Sequence, residues 1–146
     1  MPLHLDEEAT AVKDLAEKLA REQELEYVGT EHVLLAILRQ GANAGARVLA
    51  DFGVTEARAS ETVNRLIQHE KEDTWVFGRL PGSPHFRNVI ALAIDEATQL
   101  ESTSIGSAHL LLALLREKGS TAQRALAALG VTLAECRDRV VKHLGG

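Results

Sequence analysis

Two stretches of the sequence share one pattern: residues 27–39 read YVGTEHVLLAILR, and residues 104–116 read SIGSAHLLLALLR. In each, a glycine is followed by a hydroxyl residue, a variable residue, a histidine, six apolar residues and an arginine. The apolar runs are mostly Leu and Ala, which favours helix over buried strand. A helix that is apolar on every side is buried on every side. We therefore predict two central helices, with Leu35 and Leu112 equally deep in the core.

The residues that flank these runs predict where the central helices begin and end. Thr30 and Ser107 are expected to be the N-caps, because a hydroxyl oxygen accepts a free N–H of the first helical turn. The first central helix should run from about Thr30 to Gln40. Gly41 can close it, because glycine adopts the left-handed conformation common after a helix end.

Matching residues recur at a constant offset of 77 positions, as in His32 and His109. Other matched pairs are Val12 and Val89, Leu15 and Leu92, Arg47 and Arg124, Gly53 and Gly130, and Val63 and Val140. A fixed offset without gaps indicates a tandem duplication. Further helices are predicted from apolar periodicity and from six capping residues, namely Asp6, Asn43, Thr55, Ser83, Ser120 and Thr132. The sequence thus predicts an all-α fold with eight helices, four in each half.

The chain is expected to form a single domain over residues 1–146. The first repeat should cover about 5–68 and the second about 83–145. The segment 69–82 between them is charged, then aromatic, then rich in glycine and proline, which is typical of a linker.

The composition argues against several classes of function. The formal net charge is −5, whereas a nucleic-acid-binding face needs an excess of basic residues. Residues 1–70 hold 7 basic and 13 acidic residues, which suits a cationic ligand or is simply a solvated acidic surface. No segment approaches the roughly 20 apolar residues of a membrane span, and the N-terminus does not resemble a secretion signal. We expect a cytoplasmic protein without nucleic-acid or membrane partners.

The sequence contains no pattern typical of catalysis. It has no G-x-S-x-G, no H-E-x-x-H and no nucleotide-binding G-x-x-x-x-G-K-[ST] loop. Cys136 is the single cysteine, so neither a disulfide nor a cysteine metal cluster is expected. His32 and His109 occupy equivalent first-turn positions, where a structural role is the stronger interpretation. We predict no enzyme activity, no metal and no cofactor.

The two opening stretches, followed by residues 45–49 (GARVL) and 52–54 (FGV), resemble the Clp repeat. This repeat occurs twice in the N-terminal domain of ClpC-type AAA+ unfoldases, and the likeness here extends from about Leu5 to Leu144. It implies two tandem four-helix Clp repeats related by a pseudo-twofold axis. Because the sequence has no ATPase motifs, it resembles a free-standing N-terminal domain. In the family, that domain receives substrates and adaptors.

The resemblance also implies a ligand and its site residues. In ClpC-like domains, the glutamate at the position of Glu31 recognises phosphorylated arginine together with a hydroxyl that opens the first helix of the same repeat. A carboxylate pairs with the guanidinium, and helix N–H groups hold the phosphate. Here Asp6 replaces the hydroxyl beside Glu31, and Ala108 replaces the glutamate beside Ser83. We therefore expect two degenerate sites that bind phosphoarginine weakly.

The most strongly indicated function is a protein-binding module of the Clp protease system that docks substrates, adaptors or the unfoldase. An alternative is a protein that sequesters cyclic peptide antibiotics, which bind ClpC-like domains through aromatic residues. Those positions hold Leu5 and Gly82 here. A structural subunit of another complex is the third possibility.

Overall fold

The computed structural model describes residues 3–23, 28–74 and 84–145. Eight helices lie within these ranges: α1 (Glu7–Glu22), α2 (Thr30–Gln40), α3 (Ala44–Asp51), α4 (Glu56–Thr74), α5 (Pro84–Gln99), α6 (Ser107–Arg116), α7 (Thr121–Ala128) and α8 (Leu133–Gly145). In the described ranges the β pairing is limited to one isolated parallel bridge between Leu5 and Ile105. The predicted all-α fold is confirmed.

Predicted N-caps account for most of the helix starts. Five capping side chains accept an N–H from the first turn of the helix that follows them, at 2.8–3.3 Å. They are Asp6, Asn43, Thr55, Ser120 and Thr132. The sixth predicted cap, Ser83, lies outside the described residues. Local side-chain chemistry therefore fixes where these five helices begin.

The end of α4 corrects the predicted start of the linker. This helix continues to Thr74, six residues into the segment 69–82. The residues from 69 to 74 are charged but include no glycine or proline, so nothing in them breaks a helix. The rest of the predicted linker, 75–82, lies outside the described residues.

The central helices α2 and α6 pack against helices of both repeats, but they are not equally covered. Every residue of α6 from Ser107 to Leu115 is buried, and Leu112 is fully enclosed. In α2, Leu35 and Leu38 are only partly buried. The prediction that Leu35 is as deep as Leu112 was wrong, because residues three apart share one side of a helix and that side of α2 is left partly open.

The hydroxyls of Thr30 and Ser107 do not cap their own helices, as the sequence analysis expected. The N-caps of α2 and α6 are Gly29 and Gly106. The Thr30 hydroxyl instead accepts the Ala122 N–H of α7 at 3.1 Å.

The Ser107 hydroxyl accepts the Gly45 N–H of α3 at 2.8 Å. Each central helix thus provides a hydroxyl acceptor for a free N–H in the first turn of a helix in the opposite repeat. The two contacts are equivalent and are related by the pseudo-twofold axis. We call this pair of contacts the reciprocal caps.

A buried carboxylate ties together three helices of the second repeat. Glu96 of α5 is 1% exposed and accepts hydrogen bonds from Arg116 of α6 at 2.8 Å and Arg137 of α8 at 2.9 Å. A residue 77 positions earlier, Leu19, is buried in the apolar core. The two repeats therefore share a fold, but at this position the second is held by buried ion pairs and the first by apolar packing.

The unequal burial of the two central helices predicts unequal effects of truncation. Leu112→Ala should lower the free energy of unfolding by about 2–5 kcal/mol, because it leaves a cavity in a closed core. Leu35→Ala should cost clearly less, because solvent already reaches part of the side chain. Urea melts of both variants measure the difference, and equal losses would contradict the described packing.

The reciprocal caps predict a cost on removing either hydroxyl. Thr30→Val and Ser107→Ala should each lower the free energy of unfolding by about 1 kcal/mol, because each leaves a buried N–H without a partner. Thr98→Val is the matched control, since its exposed hydroxyl bonds only to the Ile94 carbonyl of its own helix. If both variants were as stable as this control in urea melts, the cross-repeat contacts would contribute nothing.

Candidate functional site

Each central helix begins with the same arrangement, which we call the α2 opening (residues 29–32) and the α6 opening (residues 106–109). The N–H of the N-cap glycine donates to Nδ1 of the histidine three residues later, at 2.9 Å for His32 and 2.8 Å for His109. The other ring nitrogen bonds Gln23 in the first case and Ser102 in the second. Both histidines therefore hold the loop before the helix in place.

The histidine of the α2 opening is neutral in the folded protein. Because Nδ1 of His32 accepts from Gly29, the ring proton is on Nε2, which donates to the Gln23 side-chain oxygen at 2.9 Å. Burial lowers the pKa of His32 to about 4, since an imidazolium would lose its hydration there. Burial lowers the pKa of His109 as well.

The α2 opening contains a buried carboxylate. Glu31 is 8% exposed, and burial raises its pKa above the ordinary value. The Thr121 hydroxyl of α7 hydrogen-bonds the carboxylate, and the charge of His85 in α5 also opposes the effect of burial. A side chain at Gly29 would overlap Glu31 Oε1, so glycine at this position leaves room for the carboxylate.

The α6 opening obtains its carboxylate from the opposite repeat. Ala108 stands at the position equivalent to Glu31 and is buried. A Cβ atom at Gly106 would lie 3.0 Å from Asp6 Oδ2, while Asp6 Oδ1 caps α1 through the Ala9 N–H at 2.8 Å. The backbone N–H of Asp6 also donates to the Ile105 carbonyl at 2.9 Å, which fixes this approach.

The structure therefore brings the predicted site residues together across repeats and not within them. Asp6 and Ala108 line the same cleft, whereas Glu31 is influenced by the Thr121 hydroxyl of α7 and by the charge of His85 in α5. This corrects the pairing of Asp6 with Glu31, which assumed that each site is formed within one repeat. Ser83, the remaining predicted site residue, lies outside the described residues. A glutamate at position 108 would add a second carboxylate next to Asp6.

An open cleft of about 720 Å³ lies at the α6 opening, between α1, α3 and the loop before α6. Its lining is mainly acidic and hydroxylic, with Arg47 and His143 among the basic residues. Glu8 Oε1 accepts the Ala44 N–H of α3 at 3.1 Å. His143 Nε2 lies 2.9 Å from Asp51 Oδ2. Much of the charge at this cleft is thus engaged in contacts between helices.

Sequence reasoning did not identify Thr121 or His85 as part of the α2 opening. Neither belongs to a recognisable motif, because α5 and α7 reach the opening only after the repeats have packed. Leu5, one of the two positions considered for cyclic peptides, packs against the core, and Gly82 lies outside the described residues.

The described ranges contain neither a metal-ligand cluster nor a membrane-spanning helix. No group of three or more His, Cys, Asp or Glu residues suitable for holding a metal occurs there. Within the same ranges, no helix has the length and apolarity required to span a bilayer.

These features define an all-α tandem-repeat domain whose two central helices open onto carboxylate-bearing surfaces. The family model described as the Clp repeat (R) N-terminal domain matches residues 4–102 and 82–145. The chain belongs to this family.

Similar full-length proteins include the ATP-dependent Clp protease ATP-binding subunit ClpC of Staphylococcus epidermidis. It is 38% identical over 118 residues, which are 81% of this chain and 14% of that protein. The same subunit of Staphylococcus aureus strain USA300 is 37% identical over 118 residues, again 81% of this chain and 14% of that protein. The chain thus spans about one seventh of the length of these relatives.

Solved structures show the same fold at low sequence identity. The N-terminal domain of the chaperone ClpD from Arabidopsis thaliana has a TM-score of 0.79 and 19% identity, covering 98% of this chain and 96% of that one. The Hsp104 N-terminal domain from Candida albicans has a TM-score of 0.73 and 17% identity, covering 97% and 92%.

The low pKa of His32 predicts a loss of stability in mild acid. The unfolded chain takes up a proton near pH 6.5 that the folded chain does not accept until about pH 4. The contribution of His32 to the free energy of unfolding is therefore complete above pH 6.5 and falls through this window, by on the order of 3 kcal/mol at its lower end. His109 acts in the same direction.

Nitrogen-15 NMR of the histidine rings at pH 5.5, with urea melts from pH 8 to 4, measures this effect. We expect His32 to remain the neutral Nε2–H tautomer at pH 5.5, while the imidazoles of the urea-unfolded chain titrate near pH 6.5. An imidazolium signal from folded His32 at pH 5.5 would contradict the described hydrogen bonds.

Proposed function

We propose that the chain is a non-catalytic protein-binding module of the Clp protease system and acts in the cytoplasm. Its ligands would be substrates, adaptors or the unfoldase itself. In this proposal the α2 opening is the docking point for an arginine-type group of the protein ligand, and phosphoarginine is the model ligand. The α6 opening, with Asp6 and Ala108, is the weaker site.

The observation that carries this proposal is the environment of the Glu31 carboxylate. Burying a carboxylate costs free energy unless a cation or several hydrogen bonds compensate it. Glu31 is buried at the mouth of a helix with its pKa raised, and the nearby His32 ring is neutral. A guanidinium presents five N–H donors in a planar fork that fits a carboxylate in two parallel hydrogen bonds. A bound guanidinium would replace the hydration that the Glu31 carboxylate lost on burial.

Family membership supports the same proposal at a coarser level. The chain is a Clp N-terminal domain, and its relatives include the ATP-binding subunit of an ATP-dependent protease. The ligand, its phosphorylation and the identity of the partner are the parts that we propose.

Calorimetric titration with free phosphoarginine tests the docking point. Glu31→Gln should weaken binding about tenfold or more, because it removes a charge-assisted pair worth roughly 1.5–3 kcal/mol. Glu61→Gln is the matched control, because Glu61 is an exposed glutamate of α4 that belongs to neither opening. If Glu31→Gln and this control bound equally well, the α2 opening would not be the site.

Affinity capture tests the partner with the same three proteins as bait. The wild-type chain and Glu61→Gln should recover a Clp unfoldase or protease subunit from a native lysate, and Glu31→Gln should recover less. Absence of any Clp component from the wild-type bait would contradict the proposed place in this protease system.

A further inference from the structure

Gln23, the C-cap of α1, bonds to the histidine of the α2 opening. Its side-chain oxygen accepts from Nε2 of His32 at 2.9 Å, while Nδ1 of the same ring accepts the Gly29 N–H at 2.9 Å. The His32 side chain is only 1% exposed, so both ring nitrogens depend on protein partners for their hydrogen bonds. The two contacts together require the ring proton on Nε2 and a lone pair on Nδ1.

The Nδ1 atom of His32 also lies 3.5 Å from Glu31 Oε1. In the observed tautomer Nδ1 has no hydrogen to donate, so His32 gives the Glu31 carboxylate no hydrogen bond. In the other neutral tautomer, Nδ1 carries the hydrogen and can no longer accept from Gly29. The acceptor beside it is then Glu31 Oε1, which a small movement of either side chain brings within hydrogen-bond distance. The position of one ring proton thus decides whether Nδ1 accepts from Gly29 or donates to Glu31.

The α6 opening has a different kind of partner at the second ring nitrogen. Nε2 of His109 lies 3.1 Å from the Ser102 hydroxyl, which can donate or accept, whereas the amide oxygen of Gln23 only accepts. The two partners are not repeat equivalents, because the offset of 77 residues matches Gln23 with Leu100. The acceptor-only partner therefore occurs at the opening that contains a glutamate, and the adaptable partner occurs where Ala108 replaces it.

We propose that Gln23 is a positioning residue of the α2 opening, which acts through the tautomer of His32 to keep the Glu31 carboxylate available to a cationic ligand. While Nε2 donates to the Gln23 oxygen, the side of Glu31 that faces His32 is left for the N–H donors of a ligand. Without that oxygen, a buried Nε2–H has no partner, and the tautomer that donates to Glu31 becomes competitive. An internal hydrogen bond then competes with an arriving guanidinium.

Nitrogen-15 NMR of the histidine rings and carbon-13 NMR of the Glu31 carboxyl group test this control of the tautomer without any ligand. Gln23→Leu removes the acceptor while keeping a similar size and the same charge. We expect a population of His32 with the proton on Nδ1 in this variant. Glu31 should then ionise at a lower pH than in the wild-type chain, because a donated hydrogen bond favours the carboxylate. Gln23→Glu restores an acceptor of the same length, and His32 should keep the wild-type tautomer.

Ser102→Ala is the matched control for a purely structural effect, because it removes the Nε2 partner of the equivalent histidine at the α6 opening. It should lower stability as Gln23→Leu does, but it should leave the ionisation of Glu31 unchanged. A folded Gln23→Leu protein with either the wild-type His32 tautomer or the wild-type Glu31 midpoint would overturn the proposal. Gln23→Met, which also lacks the acceptor oxygen, provides the same test if the leucine variant does not fold.

The binding arm uses Nα-acetyl-arginine amide at pH 7.5 and follows the amide signals of residues 30–32 by NMR. The affinity of Gln23→Leu should be about threefold to tenfold below that of the wild-type chain, the range expected for one competing hydrogen bond. Gln23→Glu should bind at least as well as the wild-type chain. Gln99→Leu is the matched control, because Gln99 is exposed and bonds Asp95 of its own helix at 2.7 Å. Equal affinities for Gln23→Leu and this control would overturn the proposal.

The binding arm rests on the proposed function, whereas the ring and carboxyl measurements do not. If the probe fails to bind the wild-type chain while His32 and Glu31 still respond to Gln23→Leu, the docking role is refuted and the control of the tautomer by Gln23 stands.

Discussion

The hydroxyls of Thr30 and Ser107 each close the first turn of a helix in the opposite repeat, and the remaining geometry follows from these two contacts. A buried helix start needs partners for its free N–H groups. The contact to Ala122 brings α7 to the α2 opening, and with it the Thr121 hydroxyl that bonds Glu31. The equivalent contact to Gly45 brings α3 to the α6 opening, where it forms one side of the cleft.

The two openings keep one backbone frame and differ in the origin of their carboxylate. A glycine N-cap and a histidine three residues later shape both. At the first, the carboxylate comes from Glu31 of the same helix, and at the second it comes from Asp6, across the repeat boundary. Duplication thus preserved the hydrogen bonds that hold the loops, while the charged group beside each helix start diverged.

The buried glutamates Glu96 and Glu31 differ in how their burial is compensated. Glu96 is bonded by two arginines, so its burial is compensated within the fold. Glu31 has the Thr121 hydroxyl, its own backbone and the charge of His85, and its pKa remains raised. A carboxylate held under those conditions gains more from an external guanidinium than Glu96 does, because less of its lost hydration has been replaced.

The sequence by itself determined the eight helices, the duplication and most of the helix caps. These features are local or periodic and can therefore be recognised in the sequence: apolar residues at helical spacing, capping side chains before five of the described helices and a constant offset of 77 residues. Glu31 and Asp6 were also named from the sequence as site residues, but both were placed in one site.

Only the tertiary structure decided which helix starts meet. Two contacts depend on how the two repeats dock: the hydrogen bond of Thr30 to α7 and the approach of Asp6 to the α6 opening. The partial exposure of Leu35 has the same origin. A hydroxyl at the start of a helix satisfies any N–H within reach, and the distance to a residue 92 positions away is set by packing and not by local pattern.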